Sequence, residues 1–163
     1  MLIDSSAVKA HRCASGGKGG GLSQAIGRSR GGRTTKIHAL TDRCCRPIAF
    51  LLTGGQVADC TAVDTLLDHI ATAEILHGDK GYDSDAVRRK IDSKGAAPNI
   101  PPKVNRRWKN CFSPYLYLYR NRNAIERMFG RLKDFRRIAT RYDRLAQNFL
   151  AAVCLAATLS YWS

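Results

Sequence analysis

Apolar residues recur at two spacings along the chain, strand-like in some stretches and every third or fourth position in others, and these lay out its elements. The opening "MLIDSSAVKAH" has the character of a β-strand and carries Asp4. "TKIHALTD" and "RPIAFLLTGG" are two further β-prone runs, separated by a polar turn and closed by Gly54 and Gly55, the pattern of an antiparallel hairpin. In "DCTAVDTLLDHIATA" the period changes, and Val63, Leu66, Leu67 and Ile70 fall at helical intervals behind Asp59 or Thr61 as the cap. "EILHGD" is a short strand, "SDAVRRKIDSKG" a helix capped by Asp83 and Ser84 and ended by Gly95, and "APNIPP" an extended segment stopped by its prolines. Strands thus alternate with helices, as in an α/β domain.

The remaining stretches are basic or strongly apolar. Residues 13 to 33, rich in Gly, Ser and Arg, read as a mobile, solvated loop suited to lying on phosphates. "KVNRRWKN" reads as an exposed loop, and from "YLYLYRNRNAIERMF" to "ATRYDRL" the pattern turns helical, with Arg or Lys at 120, 122, 127, 131, 133, 136, 137, 141 and 144. "FLAAVCLAATLSYW" is shorter than the roughly 20 residues that cross a bilayer, so it reads as a buried helix closing the core, with no membrane partner.

With 163 residues, 44% of them apolar, the chain suits one domain, and its net charge of +14 calls for a polyanion, nucleic acid first. Six cysteines without a CxxC pair or a secretory segment read as reduced thiols of a cytosolic protein. His11 with Cys13, and Cys44 with Cys45, lack the regular paired spacing of a zinc site.

In so basic a chain the carboxylates stand out. There are two glutamates, and one of them, Glu126, lies in the most basic stretch. At about 100° per residue, Tyr119, Arg122, Glu126 and Lys133 share one helical stripe, with Ile125, Met128, Phe129, Leu132 and Phe135 beside it. Spacing alone suits a capping arrangement equally well, Asn123 opening the helix and Glu126 reaching back. Asp4 taken singly is a strand-end residue bonding nearby amides, and Asp79 an Asx-turn before Gly81. Taken together the carboxylates have a joint use, because hard oxygen ligands can hold two Mg²⁺ ions about 4 Å apart across a phosphodiester.

Four stretches carry a resemblance that spans nearly the whole chain: "LIDSSAVKAHR", "GGRTTKIHALTD" with "GGQVADCTAVDTLL", "GDKGYDSDAVRRKI", and "YRNRNAIERMFGRLKDFRRIATRYDRLAQNFLAAVCLAA". They resemble the DDE transposases of bacterial insertion sequences, in the IS5-like branch of the IS4 superfamily. The helical signature of that family, Tyr, Arg, Glu and Lys at fixed spacing, is met in full by Tyr119, Arg122, Glu126 and Lys133. The resemblance implies an RNase H-like α/β fold with a mixed five-stranded sheet flanked by helices. It implies that Asp4 on the first strand, Asp79 at the end of the fourth and Glu126 on a later helix are the catalytic ligands of two Mg²⁺ ions, Mn²⁺ being an alternative.

The implied reaction is cleavage at a transposon end followed by attack of the freed 3′-hydroxyl on target DNA. Tyr119, Arg122 and Lys133 are then expected to touch DNA, joined by Lys80 beside Asp79 and by Arg127 and Arg131 of the basic stretch. Residues 1–163 are read as one catalytic domain of a cytoplasmic, nucleoid-associated bacterial protein that forms a homo-oligomer on paired ends. The segment that recognises those ends in relatives is expected to be missing, an upstream reading frame being one source for it. Two other classes stay open: another nuclease of this fold, and a basic DNA-binding remnant whose carboxylates serve only as caps and turns.

Overall fold

A computed structural model of the chain describes residues 1–69, 73–107 and 123–163. Its centre is strand β1 (Leu2–Ala10), whose side chains alternate between two apolar cores. Leu2 and Val8 point to one face and Ile3 to the other, the two-residue period of a strand buried on both sides. The next elements are one-turn helix α1 (Gly20–Ser23), β2 (Gly27–Ser29), β3 (Gly32–Thr41), β4 (Pro47–Gly54), α2 (Asp59–Leu67) and β5 (Ile75–His77). They are followed by α3 (Asp85–Ser93), β6 (Ala97–Asn99), α4 (Asn123–Asp134), α5 (Arg136–Ala139), β7 (Thr140–Arg141) and α6 (Ala146–Tyr161).

The sheet is mixed. β3 pairs antiparallel with β1 on one edge and with β4 on the other, so the expected hairpin forms, with β3 inside the sheet and β4 at its edge. β5 and β6 continue from the far edge of β1 in parallel, Leu2 facing His77 and Ile75 facing Ala97. Among the described residues two short strands raise the expected five to seven: β2 pairs with the start of β3, and β7 runs beside Lys9 and Ala10. One core joins β1 and β3 to α4, α5 and α6 through Ile125, Met128, Leu132, Ile138, Phe149 and Val153. The other joins them to α2 and α3 through Val63, Leu66, Leu67, Val87 and Ile91, giving helices on both faces.

Several local readings need correction. The glycine-rich stretch is not a solvated loop throughout: Ala25 and Ile26 are buried, and the Ala25 carbonyl accepts from Thr35 Oγ1 at 2.7 Å and from Arg141 at 3.5 Å. α2 is preceded by Ala58, which makes no side-chain cap, while Asp59 stands inside its first turn and Ile70 lies outside the described residues. Ser84 does cap α3, accepting from the Val87 amide at 3.2 Å, and Gly95 ends it in the left-handed conformation at φ 78°.

Asp83 instead receives Arg88 at 2.9 Å, Arg106 at 2.9 Å and the Lys103 amide at 2.7 Å. Burial pushes the Asp83 pKa up, but these hydrogen bonds outweigh it and hold the carboxyl below its usual range. Arg106 is thereby drawn out of what read as an exposed loop; Trp108 lies outside the described residues. The basic helical stretch breaks at Phe135 into α4 and α5. α6 is buried on one side only, since Leu155 is 66% and Leu159 64% exposed. No helix among the described residues is long and apolar enough to cross a membrane.

Arg141 ties this architecture together. It is fully buried and donates to Thr35 Oγ1 at 2.9 Å, to the Asp143 carbonyl at 2.9 Å and to the Arg144 carbonyl at 3.3 Å, with Phe149 beneath its guanidinium. Arg141→Met keeps most of the volume and strands these acceptors, which is expected to cost about 2 kcal/mol in urea unfolding. Hydrogen exchange is expected to accelerate first between residues 15 and 28.

Candidate active site

Strand register does most of the positioning. β1 and β5 run parallel with Leu2 opposite His77, so two residues further along each chain path stand Asp4 and Asp79. Neighbouring strands are about 4.8 Å apart, which brings the two aspartates side by side at the carboxyl end of β5. Asp4 shares the face of Leu2 and Val8, the side covered by α4, and α4 presents Glu126 to the same space. Asp4, Ser5, Ser6, Asp79, Glu126, Phe129, Gly130 and Lys133 line one cavity of about 400 Å³.

Each carboxylate also has the local role that its sequence context offers. Asp4 Oδ1 accepts from the Ser5 amide at 2.8 Å, and Asp79 Oδ1 accepts from the Gly81 amide at 2.7 Å, closing an Asx-type turn before a single 3₁₀ turn. The bland reading and the functional one are therefore compatible, because the same bonds that satisfy backbone amides fix where the carboxylates point. Lys133 forms the cationic wall: its Nζ donates to Ser6 Oγ at 2.7 Å and to the Ala7 carbonyl at 3.2 Å, and burial lowers its pKa.

The other candidates are placed elsewhere or lie outside the described residues. Tyr119 and Arg122 are among residues 108–122, which are not described. Lys80 is exposed in the turn after Asp79 and does not line the cavity. Arg127 and Arg131 lie on the flank of α4 about 100–140° around the axis from Glu126, and the guanidinium of Arg131 sits 5.7 Å from the Tyr161 ring centroid.

Beneath the cavity, on the α2 side of β1, is a polar cluster that sequence reasoning did not assemble. Asp59 Oδ1 accepts from Ser5 Oγ at 2.9 Å and Lys36 Nζ at 3.0 Å, with His38 Nδ1 4.0 Å away. His38 Nε2 meets Thr53 Oγ1 at 2.8 Å, but the buried His38 Nδ1 has no hydrogen-bond partner among the described residues, and the buried Tyr82 hydroxyl has only the Ser5 side chain beside it. The Tyr82 pKa is driven well up, first by burial and then by Asp59, Asp4 and Asp79. The signal was available in "TKIHAL": Lys36 and His38 are polar at alternate positions of an otherwise apolar strand, so they share the face that looks toward α2.

The donor set is entirely hard oxygen, the chemistry of Mg²⁺ or Mn²⁺ rather than of zinc. Among the described residues no three His, Cys, Asp or Glu side chains close into a ready-made ion cage. Mg²⁺ does not need one, since it keeps several waters and is held by one or two carboxylates plus substrate phosphate. An open acidic cavity lined by Asp4, Asp79 and Glu126 fits that mode.

Fold and site together define a basic α/β domain with an acidic cleft where parallel strands end. The chain belongs to the transposase DDE domain family, whose pattern matches residues 1–161. It is 32% identical over 126 residues to a protein of Brucella ovis named as a transposase for insertion sequence element IS6501, an alignment covering 77% of this chain and 96% of that protein. It is 31% identical over 140 residues to a Burkholderia cepacia protein named as a transposase for insertion sequence element IS402, covering 79% of this chain and 63% of that one.

His38 provides a pH test of the polar cluster. Burial lowers its pKa from about 6.5 to about 4, the negative charge of Asp59 only partly offsetting the effect. The unfolded chain therefore binds the proton first, so stability is full above pH 6.5 and falls as pH drops from 6.5 towards 4, by about 3 kcal/mol in all. His38→Gln keeps a partner for Thr53 and is expected to remove that part of the acid slope, measured as the difference between the two proteins' unfolding free energies at pH 7 and pH 4.5.

Proposed function

We propose that this chain is the catalytic domain of an insertion-sequence transposase of the IS5-like branch, built on an RNase H-like fold. In this reading it cleaves DNA at transposon ends and joins the freed 3′-hydroxyl to target DNA. The single observation that carries the reading is the register of β1 and β5, which levels Asp4 with Asp79 while both share a cavity with Glu126. The path β4–β3–β1–β5–β6, antiparallel on one side of β1 and parallel on the other, supports the fold assignment.

Asp4, Asp79 and Glu126 would hold the divalent ions, which supply charge neutralisation at the attacking, bridging and leaving oxygens of the phosphodiester. Asp79 is kept acceptor-ready by the Gly81 amide, and Asp4 by the Ser5 amide. Lys133, half-buried at the cavity wall, would sit against the DNA backbone, with Tyr119 and Arg122 of the same signature on the adjoining stretch. Lys80, Arg127 and Arg131 would contribute phosphate contacts outside the cavity, consistent with a chain carrying 27 Lys and Arg. Recognition of particular ends, and pairing of two copies on them, would draw on surfaces or segments beyond these residues.

Asp79→Asn and Glu126→Gln are expected to leave DNA affinity within about threefold of wild type while abolishing Mg²⁺-dependent strand transfer on an insertion-sequence end. Retained strand transfer in both variants would sink the reading, and divalent-independent behaviour throughout would favour a DNA-binding protein without catalysis. Free Mg²⁺ at about ten times its dissociation constant is expected to stabilise the wild type by about 1.4 kcal/mol in thermal unfolding, and Asp79→Asn to lose that increment.

A further inference from the structure

Asp59 has no place in the triad, yet it touches the supports of two of its members. It stands in the first turn of α2, where a carboxylate commonly just faces the positive end of the helix dipole. An exposed side chain would suffice for that, whereas the Asp59 carboxylate is turned against the sheet and is 22% exposed. Its Oδ1 accepts from Ser5 Oγ at 2.9 Å, and the amide of the same serine donates to Asp4 Oδ1 at 2.8 Å. Ser5 therefore works as a rivet through β1, with its side chain held on the α2 face and its amide gripping the carboxylate on the α4 face.

The second contact runs to the turn that carries Asp79. A Cβ built on Gly81 would lie 2.9 Å from Asp79 Oδ1 and 3.0 Å from Asp59 Oδ2, so the two carboxylates bracket one glycine and leave room for no side chain. Two like charges that close would ordinarily repel, but Lys36 Nζ at 3.0 Å neutralises Asp59 and leaves Asp79 to face the cavity. The buried Tyr82 hydroxyl has the Ser5 side chain beside it and feels the charges of Asp59, Asp4 and Asp79, so it joins the same polar cluster behind the cavity.

We propose that Asp59, neutralised by Lys36, is a positioning residue that orients Asp4 through Ser5 and buttresses the Asp79 turn at Gly81. The inference rests on the proposed reading of Asp4 and Asp79 as divalent-ion ligands. Groups that orient metal ligands from behind typically change metal affinity by 10–100-fold when removed.

The test is calorimetric titration of Mn²⁺ into the 163-residue chain, for wild type, Ser5→Ala, Asp59→Asn and Asp79→Asn, with a thermal melt of each. Ser5→Ala and Asp59→Asn are both expected to weaken Mn²⁺ binding about tenfold or more, and to raise the Mg²⁺ concentration giving half-maximal strand cleavage while leaving the rate at saturating metal largely intact. That split between metal requirement and maximal rate is what loss of general stability would not produce. Should Asp59→Asn fail to melt cooperatively, Ser5→Ala decides alone, because it removes only one hydroxyl. Affinity within twofold of wild type in Ser5→Ala overturns the proposal. If Asp79→Asn abolishes Mn²⁺ binding in that case, the reading of the site survives; if Asp79→Asn binds Mn²⁺ normally, the reading falls as well.

Discussion

The alternation of β1, and its parallel contact with β5, is the constraint on which the remaining structure depends. A strand buried on both faces must send successive side chains to opposite cores, so Asp4 and Ser5 cannot serve the same side. Asp4 goes to α4 and Ser5 to α2, which makes the sheet itself the partition between an acidic cavity and the polar cluster that backs it. A one-residue slip of β1 against β3 or β5 would exchange the two faces and bury Asp4 among the leucines of the α2 core. The eight paired positions between β1 and β3, from Leu2–Thr41 to Lys9–Thr34, are what forbid such a slip.

Charge is distributed to match. The chain carries twice as many basic as acidic residues, and the structural carboxylates are matched one by one: Asp83 with Arg88 and Arg106, Asp42 with Arg46, Asp59 with Lys36, Asp143 with Arg137. The cavity brings Asp4, Asp79 and Glu126 together next to a surface that attracts polyanions. A phosphodiester drawn to that surface meets carboxylates it cannot approach without cations between them, so a basic exterior and an acidic cleft are two halves of one electrostatic design.

Much of this was legible in the sequence, for physical reasons that differ by element. The hairpin, α3 with its Ser84 cap and Gly95 stop, and the acid at the end of "EILHGD" follow from local rules of period, capping and turn chemistry. The glycine-rich stretch was misread because its order comes from Arg141, more than a hundred residues away, and local composition carries no trace of that contact. Asp83 was misread as a cap because its partners Arg88, Lys103 and Arg106 converge only once α3 and β6 are packed. The stripe of α4 was right for Glu126 and Lys133, whose shared cavity follows from helical geometry alone.

Asp59 escaped for a subtler reason. At a helix start an aspartate always has a sufficient local explanation, and although the alternation of Lys36 and His38 marks a polar face on β3, nothing local to α2 says that this face and Ser5 of β1 will meet Asp59. Orphaned polar atoms are the clue that local sufficiency is not the whole account. A buried His38 Nδ1 without a partner among the described residues, and a buried Tyr82 hydroxyl with only Ser5 beside it, destabilise the fold relative to apolar groups of the same shape. A domain selected only for stability would have filled those positions with hydrocarbon, as it did around Leu66, Leu67 and Ile91 in the same core. The Tyr82 hydroxyl lies in the field of Asp59, Asp4 and Asp79, which ties its cost to the cavity on the other side of the sheet.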